Sequence, residues 1–169
     1  MKYRKLAALA AVVLALALLA GCAGSRTENH SGFGLTQVNE ILKAEGCEEP
    51  VTASGRLERA LEEAAQKLPA YGMGEAYEQE ARRTVKQAFA SFGKTVGVSL
   101  RLVSAEELEA GVESAWLGII RTPEEMAADV VLSMDEILKQ VKYEAAAVQA
   151  PSPDGADVWL VAVIYYLNH

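Results

Sequence analysis

Four side chains carry all the thiol and imidazole chemistry in this sequence of 169 residues: Cys22, Cys47, His30 and His169. His30 lies in a polar, glycine-rich stretch and His169 is the last residue, so neither is placed for acid–base catalysis. The sequence has no His-Glu-x-x-His, Cys-x-x-Cys, Gly-x-Ser-x-Gly or phosphate-loop motif. We therefore expect no catalytic residues, no metal site and no cofactor.

Two weaker patterns are given structural interpretations. Ser91-Phe92-Gly93-Lys94 matches the Ser-x-x-Lys spacing of some acylating enzymes, but no companion motif accompanies it. The carboxylates lie mostly opposite apolar stripes or at predicted helix starts, where the helix dipole favours negative charge. We expect solvated faces for all of them: Glu62, Glu63, Glu78, Glu80, Glu106, Glu107, Glu109, Glu124 and Glu125.

Charge and hydropathy set the N-terminal segment apart. Lys2, Arg4 and Lys5 contribute +3 to a net charge of −7, so the rest of the chain carries −10. Residues 6–20 are only Leu, Ala and Val, a run shorter than the roughly 20 apolar residues that span a bilayer. This pattern favours a secretory signal segment over a short retained membrane anchor. The acidity of the remainder disfavours nucleic acid as a partner.

The end of this apolar run, Leu19-Ala20-Gly21-Cys22, resembles the lipobox of bacterial lipoproteins. The resemblance implies cleavage between Gly21 and Cys22, with a diacylglycerol thioether and usually a further acyl chain, such as palmitate, on Cys22. Two or more acyl chains give stable membrane anchoring. Ala23 implies the periplasmic face of the outer membrane in a bacterium with two membranes. In a bacterium with one membrane, the outer face of the cytoplasmic membrane is expected.

We therefore divide the chain into a signal peptide at 1–21, a lipidated Cys22 with a flexible tether over 22–34, and one domain at 35–169. The tether is rich in Gly and Ser, and such a segment has a root-mean-square span of roughly 20 Å. If Cys22 is lipidated, Cys47 has no partner for an intramolecular disulfide. We interpret Cys47 as a packed or semi-exposed thiol rather than a nucleophile.

Hydrophobic periodicity predicts the elements of the domain. Apolar stripes predict three helices, which are Leu35 to Gly46, Leu57 to Pro69 and Tyr77 to Gly93, followed by a half-buried strand over Val96–Leu102. A capping box at Ser104 opens a helix expected to reach Trp116, and a second box at Thr122 opens one that reaches Leu138. A third box at Ser133 could divide that last helix.

The final elements are a predicted hairpin, with strands at Tyr143–Gln149 and Val158–Leu167 and a turn over 150–155. The last strand is apolar on both faces, so we expect it in the centre of a sheet covered on both sides. The predicted fold is α+β, a three-layer α/β/α sandwich with a small, mainly antiparallel sheet.

Several segments resemble the bacterial CAP (SCP-like) domains, the superfamily of cysteine-rich secretory, antigen-five and pathogenesis-related proteins. The resemblance covers roughly residues 36 to 167. It is carried by Asn39–Gly46, Leu57–Gln66, Glu106–Trp116, Ile137-Leu138 with Tyr143, and Asp154-Gly155 running into Val158-Trp159. It implies an α/β/α sandwich, in agreement with the periodicity.

The functional residues of that family do not carry over to this chain. Val98 stands where the family often has Glu, Ser133 stands at a His position, and no second His occurs near Tyr71. The resemblance therefore implies a CAP-like domain without the cluster that could hold a divalent metal, and with a groove near Val98 and Ser133.

Three functions remain open at this point. The first is a lipid-anchored envelope protein with a non-catalytic binding or structural domain. The second is an envelope-directed hydrolase that uses groove carboxylates, and the third is an unrelated α+β lipoprotein in envelope assembly or transport. The scarcity of His weighs against the second. The membrane is the expected partner through the N-terminal lipid, and the envelope ligand or protein is unknown.

Overall fold

The computed structural model describes residues 32–138, 141–152 and 155–167. Within them the helices are α1 (Leu35–Ala44), α2 (Gly55–Ala65), α3 (Leu68–Tyr71), α4 (Glu75–Ala88), α5 (Ala105–Ala110) and α6 (Pro123–Asp135), with a 3-10 helix at Ala90–Thr95. The strands are β1 (Val51–Ala53), β2 (Val96–Ser104), β3 (Val112–Ser114), β4 (Gly118–Ile120), β5 (Lys142–Pro151) and β6 (Asp157–Tyr166).

The main sheet has four strands in the order β1-β5-β6-β2. Strand β6 is antiparallel to both of its neighbours, whereas the short β1 runs parallel to β5. The sheet is therefore mainly antiparallel with the last strand central, as predicted. Strands β1 and β2 form its two edges.

Side chains of β6 alternate between two hydrophobic clusters. Val161 and Val163 pack with residues of α1 and α6, whereas Leu160, Ala162 and Ile164 pack with residues of α2 and α4. Successive side chains of a strand point to opposite faces of a sheet, so helices contribute to the packing on each face. The prediction of an α+β fold is confirmed.

Two of the three predicted capping boxes, at Ser104 and Thr122, are present. The Ser104 hydroxyl accepts from the Glu107 amide at 3.1 Å, and the Glu107 carboxylate accepts from the Ser104 amide at 2.9 Å. Thr122 and Glu125 make the same reciprocal pair at the start of α6, with Pro123 in the first turn. These caps satisfy backbone N–H groups that a helix start leaves without partners.

The predicted ends of the early helices need correction. Helix α2 ends at Ala65, and Pro69 lies in the first turn of α3, where its missing N–H costs no hydrogen bond. Helix α4 ends at Ala88, and the chain continues as the 3-10 helix rather than as α-helix to Gly93.

The prediction of one helix from Ser104 to Trp116 is wrong in its second half. Gly111 has φ = 98°, a left-handed conformation that ends α5. Strands β3 and β4 then form a hairpin. Ser114 accepts from the amides of Trp116 and Leu117, each at 3.0 Å, which stabilises the turn and leaves Trp116 exposed.

Ser133 does not divide α6. Its hydroxyl donates to the carbonyl of Val130 at 2.7 Å, and the helix continues to Asp135. A serine that bonds back within its own helix is compatible with helix continuation. The third predicted capping box is therefore absent.

The folded domain begins earlier than predicted. Phe33 is fully buried in the cluster of α1 and α6, and the Gly34 amide donates to Glu124 Oε1 at 2.9 Å. Both residues thus pack with the domain, although the sequence placed them in the tether over 22–34. The segments predicted to be the signal peptide and the tether, up to residue 31 and including Cys22, lie outside the described residues. Within the described ranges, every helix is too short or too polar to cross a bilayer.

Replacing Phe33 by Ala tests this boundary. Because its ring is fully buried, Phe33→Ala should lower the free energy of unfolding by about 3–5 kcal/mol, measured by urea denaturation of the purified protein. Phe92→Ala is the matched control, since Phe92 is 42% exposed and its loss should cost less. Equal effects of the two substitutions would contradict the packing of Phe33.

Candidate functional site

The groove expected near Val98 and Ser133 is not formed. Val98 packs against the cluster of α2 and α4, whereas Ser133 lies on α6, which packs in the other cluster. The two residues therefore belong to opposite sides of the sheet. This prediction is wrong because spacing along the chain does not report which face a helix covers.

Two carboxylates expected on solvated faces are buried instead. Glu124 is 8% exposed and accepts the Gly34 amide, so it fastens the start of the domain to α6. Glu80 is 9% exposed and lies where α4 meets the end of α2. A buried carboxylate requires charged or hydrogen-bonding partners, and both residues have them.

Glu80 is the centre of a small polar network. Its Oε1 accepts from Lys67 Nζ at 3.0 Å and its Oε2 accepts from Arg83. Lys67 also donates to the Thr84 hydroxyl at 2.8 Å, and that hydroxyl donates to the Glu80 carbonyl at 3.0 Å. The hydrogen bond from Lys67 holds the pKa of Glu80 below its usual value, with Arg83 adding to the effect, and the same bond raises the pKa of Lys67. The network joins two helices and has a structural role.

Cys47 is buried, 8% exposed, in the cluster of α1 and α6. Its Sγ lies 3.9 Å from the Glu49 carbonyl, and burial raises the pKa of its thiol. A surface cavity of about 340 Å³ beside it is lined by acidic and apolar side chains, including Asp135 and Glu136. A nucleophilic cysteine needs the opposite environment, with cations that favour the thiolate. Cys47 is thus a packed thiol, the first of the two states that the sequence left open.

A different surface combines several groups that can bind a ligand. Two adjoining depressions of about 600 and 350 Å³ share Lys86 and run along α4 and the start of β2. We call this surface the edge groove. It is lined by Gln79, Arg82, Arg83, Lys86, Gln87, Phe89, Ala90, Val96, Gly97, Val98 and Tyr165.

The helical wall of the edge groove is basic. Arg82, Arg83 and Lys86 recur at the spacing that places side chains on neighbouring positions of one helix surface. Arg82 is paired with Glu78 at 2.6 Å, and Arg83 with Glu80. Among the described residues, the side chain of Lys86 makes no hydrogen bond or ion pair. Residues 32–169 hold twelve Lys and Arg against 22 Asp and Glu, a net charge of −10, so this basic wall is a local exception.

The other wall is the edge strand β2. Arg82 Nη2 donates to the Leu100 carbonyl at 3.0 Å, which shows that the backbone groups of Leu100 point away from β6. Backbone groups of alternate residues in a strand point the same way, so Val98 and Leu102 also face outward. In the described part of the chain, no other residue bonds to the outward groups of Val98 or Leu102.

Gly97 and Tyr165 form the end of the groove. They are direct cross-strand neighbours, and a Cβ on Gly97 would lie 2.0 Å from the Tyr165 ring. Tyr165 therefore lies over the backbone of β2 only because position 97 is glycine.

The edge groove offers cations, outward amide and carbonyl groups, and two aromatic rings, but no nucleophile. Across the ranges that the structure covers, no cluster of His, Cys, Asp and Glu has the geometry to hold a metal ion. Sequence reasoning missed the groove. The spacing of Arg82, Arg83 and Lys86 was a usable signal, but the edge position of β2 was not visible in the sequence.

Comparison with known proteins assigns no family. No family model, curated protein or solved structure matches the chain. The residues and their geometry are therefore the basis for a function.

The Glu80 network should make stability depend on acid pH. The pKa of Glu80 is lowered on folding. Its contribution to the free energy of unfolding is therefore present above the pKa that Glu80 has in the unfolded chain, and it is lost as the pH falls through the pKa that Glu80 has in the folded protein. Glu80→Gln should lower the thermal midpoint at pH 7 and reduce the loss of stability on acidification. Glu62→Gln, an exposed change on α2 with the same loss of charge, is the control. An identical pH profile for both variants would refute the role of Glu80.

Cys47 should react slowly with a small thiol reagent that releases a chromophore on reaction. In a Cys22→Ala chain, Cys47 is the remaining thiol, and its burial and raised pKa should slow modification at pH 8 at least about tenfold relative to the urea-unfolded chain. The rate is followed by absorbance of the released chromophore. Equal rates in the folded and unfolded chain would contradict the buried position.

Proposed function

We propose that this protein is a lipoprotein of the bacterial cell envelope whose domain binds a ligand and catalyses no reaction. The observation that carries the proposal is Leu19-Ala20-Gly21-Cys22 at the end of a 15-residue run of Leu, Ala and Val that follows three basic residues. These features together fit export, cleavage before Cys22 and lipidation.

Lipidated Cys22 would hold the domain at a membrane surface. In a bacterium with two membranes this is the periplasmic face of the outer membrane, and with one membrane it is the outer face of the cytoplasmic membrane. Phe33, eleven residues after Cys22, is already packed in the core. The ten residues between Cys22 and Phe33, as the predicted linker, would span about 17 Å, which keeps the domain close to the lipid headgroups.

The domain is proposed to be CAP-like. Support comes from a small, mainly antiparallel sheet with helix residues in the clusters on each of its faces, which is compatible with the α/β/α sandwich that the resemblance implies. By sequence position, Val98 and Ser133 stand where the family has Glu and His, and they lie on opposite sides of the sheet, so the proposed CAP-like domain would hold no divalent metal at these positions.

The contacts of the charged and polar side chains support a binding role. The buried carboxylates Glu80 and Glu124 are engaged with neighbouring groups of the fold, and His30 and His169 are the two imidazoles in the sequence. By contrast, the edge groove presents cations and backbone groups at the surface. This combination favours recognition over acid–base or nucleophilic chemistry.

Metabolic labelling tests the anchor. Expressed in a bacterial host with labelled palmitate, the full-length protein and a Cys47→Ala variant should both incorporate label and separate with the membranes. Cys22→Ala should incorporate none and accumulate as the longer precursor, because the acceptor thiol is gone.

Cys47→Ala is the matched control, since it removes the other cysteine and leaves the signal sequence intact. Label on Cys22→Ala, or loss of label from Cys47→Ala alone, would overturn the lipoprotein proposal.

A further inference from the structure

We propose that the edge groove binds an extended acidic peptide segment that adds to β2 as a further strand of the sheet. This inference deepens the proposed binding function, because it names the ligand chemistry and the way in which the ligand is held.

The backbone of β2 provides the first argument. The strand is nine residues long, contains no proline and pairs along its whole length with β6. Among the described residues, its opposite edge keeps the N–H and C=O groups of Val98 and Leu102 available, whereas Arg82 covers the Leu100 carbonyl and Glu107 the Ser104 amide. A long edge of this kind is a template for an added strand. At the other edge of the sheet, β1 has three residues and therefore offers a much shorter edge to an added strand.

The charge around β2 provides the second argument. Lys86 lies beside Val96–Val98 in the groove, and Arg82 reaches the edge itself. Arg101 is exposed and pairs in register with Val161, which packs in the cluster of α1 and α6 on the other face. Both faces of the edge therefore carry a cation within a domain of net charge −10. Acidic side chains on a bound strand would meet these cations and be repelled elsewhere on the surface.

The same charges select against a second copy of this chain. Pairing of β2 with the β2 of another molecule would bring Lys86, Arg82 and Arg101 of one copy close to those of the other. Like charges across a new strand pair are destabilising. An acidic strand from a different polypeptide relieves this repulsion, so it is the occupant that the edge favours.

The test uses two fluorescent eight-residue peptides, one alternating Thr and Glu and the other alternating Thr and Lys. Each is titrated with the full-length protein in a non-ionic detergent at low ionic strength, and binding is followed by fluorescence anisotropy. The Thr-Glu peptide should bind and the Thr-Lys peptide should not. Added salt should weaken the complex, since exposed charges are screened.

Two independent variants locate the site. Val98→Pro removes an outward N–H while leaving the bonds to β6, and it should weaken binding about tenfold. Val98→Thr keeps the N–H and is its control. Lys86→Glu should also weaken binding about tenfold, whereas Lys43→Glu makes the same charge change on α1 and should not. Lys86→Glu remains decisive if the proline variant fails to fold.

Amide exchange reports strand addition directly. On binding of the Thr-Glu peptide, exchange of the Val98 and Leu102 amides should slow, while that of Ser99, which faces β6, should stay unchanged. Equal binding of both peptides, or binding without protection of Val98 and Leu102, would overturn the proposal. A dimer that Val98→Pro converts to a monomer would also overturn it, by identifying a second copy as the occupant.

Failure of this proposal can be distinguished from failure of the lipoprotein proposal. Labelling of Cys22 with palmitate does not depend on β2, and peptide binding at β2 does not depend on lipidation. Each experiment therefore overturns one proposal without the other.

Discussion

The fold depends on the burial of β6 on both faces. Leu160, Val161, Val163 and Ile164 are each at most 1% exposed, and burial of one such side chain contributes about 1.5–3 kcal/mol relative to exposure. A strand apolar on both sides is stable only with strands at both edges and helices on both faces. Its placement between β5 and β2 follows, as does the division of the core into two clusters.

The same constraint creates the edge groove. Since β6 takes the centre, β2 has one edge bonded and the other facing outward, and α4 packs against it to complete its cluster. Arg82 then lies close enough to bond the Leu100 carbonyl. A charged side chain that covers part of an edge strand limits uncontrolled pairing. The remaining outward groups are flanked by cations, and this charge pattern is the basis for the proposed binding of an acidic partner strand.

The polar contacts of the domain determine where helices begin and how segments of the chain are joined. Glu124 fastens Gly34 to the first turn of α6, and Glu80 connects Lys67 to α4. Both are carboxylates at positions that a helical pattern marks as exposed. Their partners come from distant parts of the chain or across a helix junction, so local periodicity could not reveal them.

Local signals by themselves determined much of this protein. The capping boxes at Ser104 and Thr122, the period-two strand after Val96 and the doubly apolar last strand follow from side-chain type and spacing, because short-range hydrogen bonds and burial decide them. Only the tertiary structure decided that the chain after Gly111 forms a hairpin, that Phe33 belongs to the core, that Val98 and Ser133 lie apart, and that β2 is an edge. Each of these outcomes depends on which elements meet across the sheet, and contacts between distant residues leave no periodic trace in the sequence.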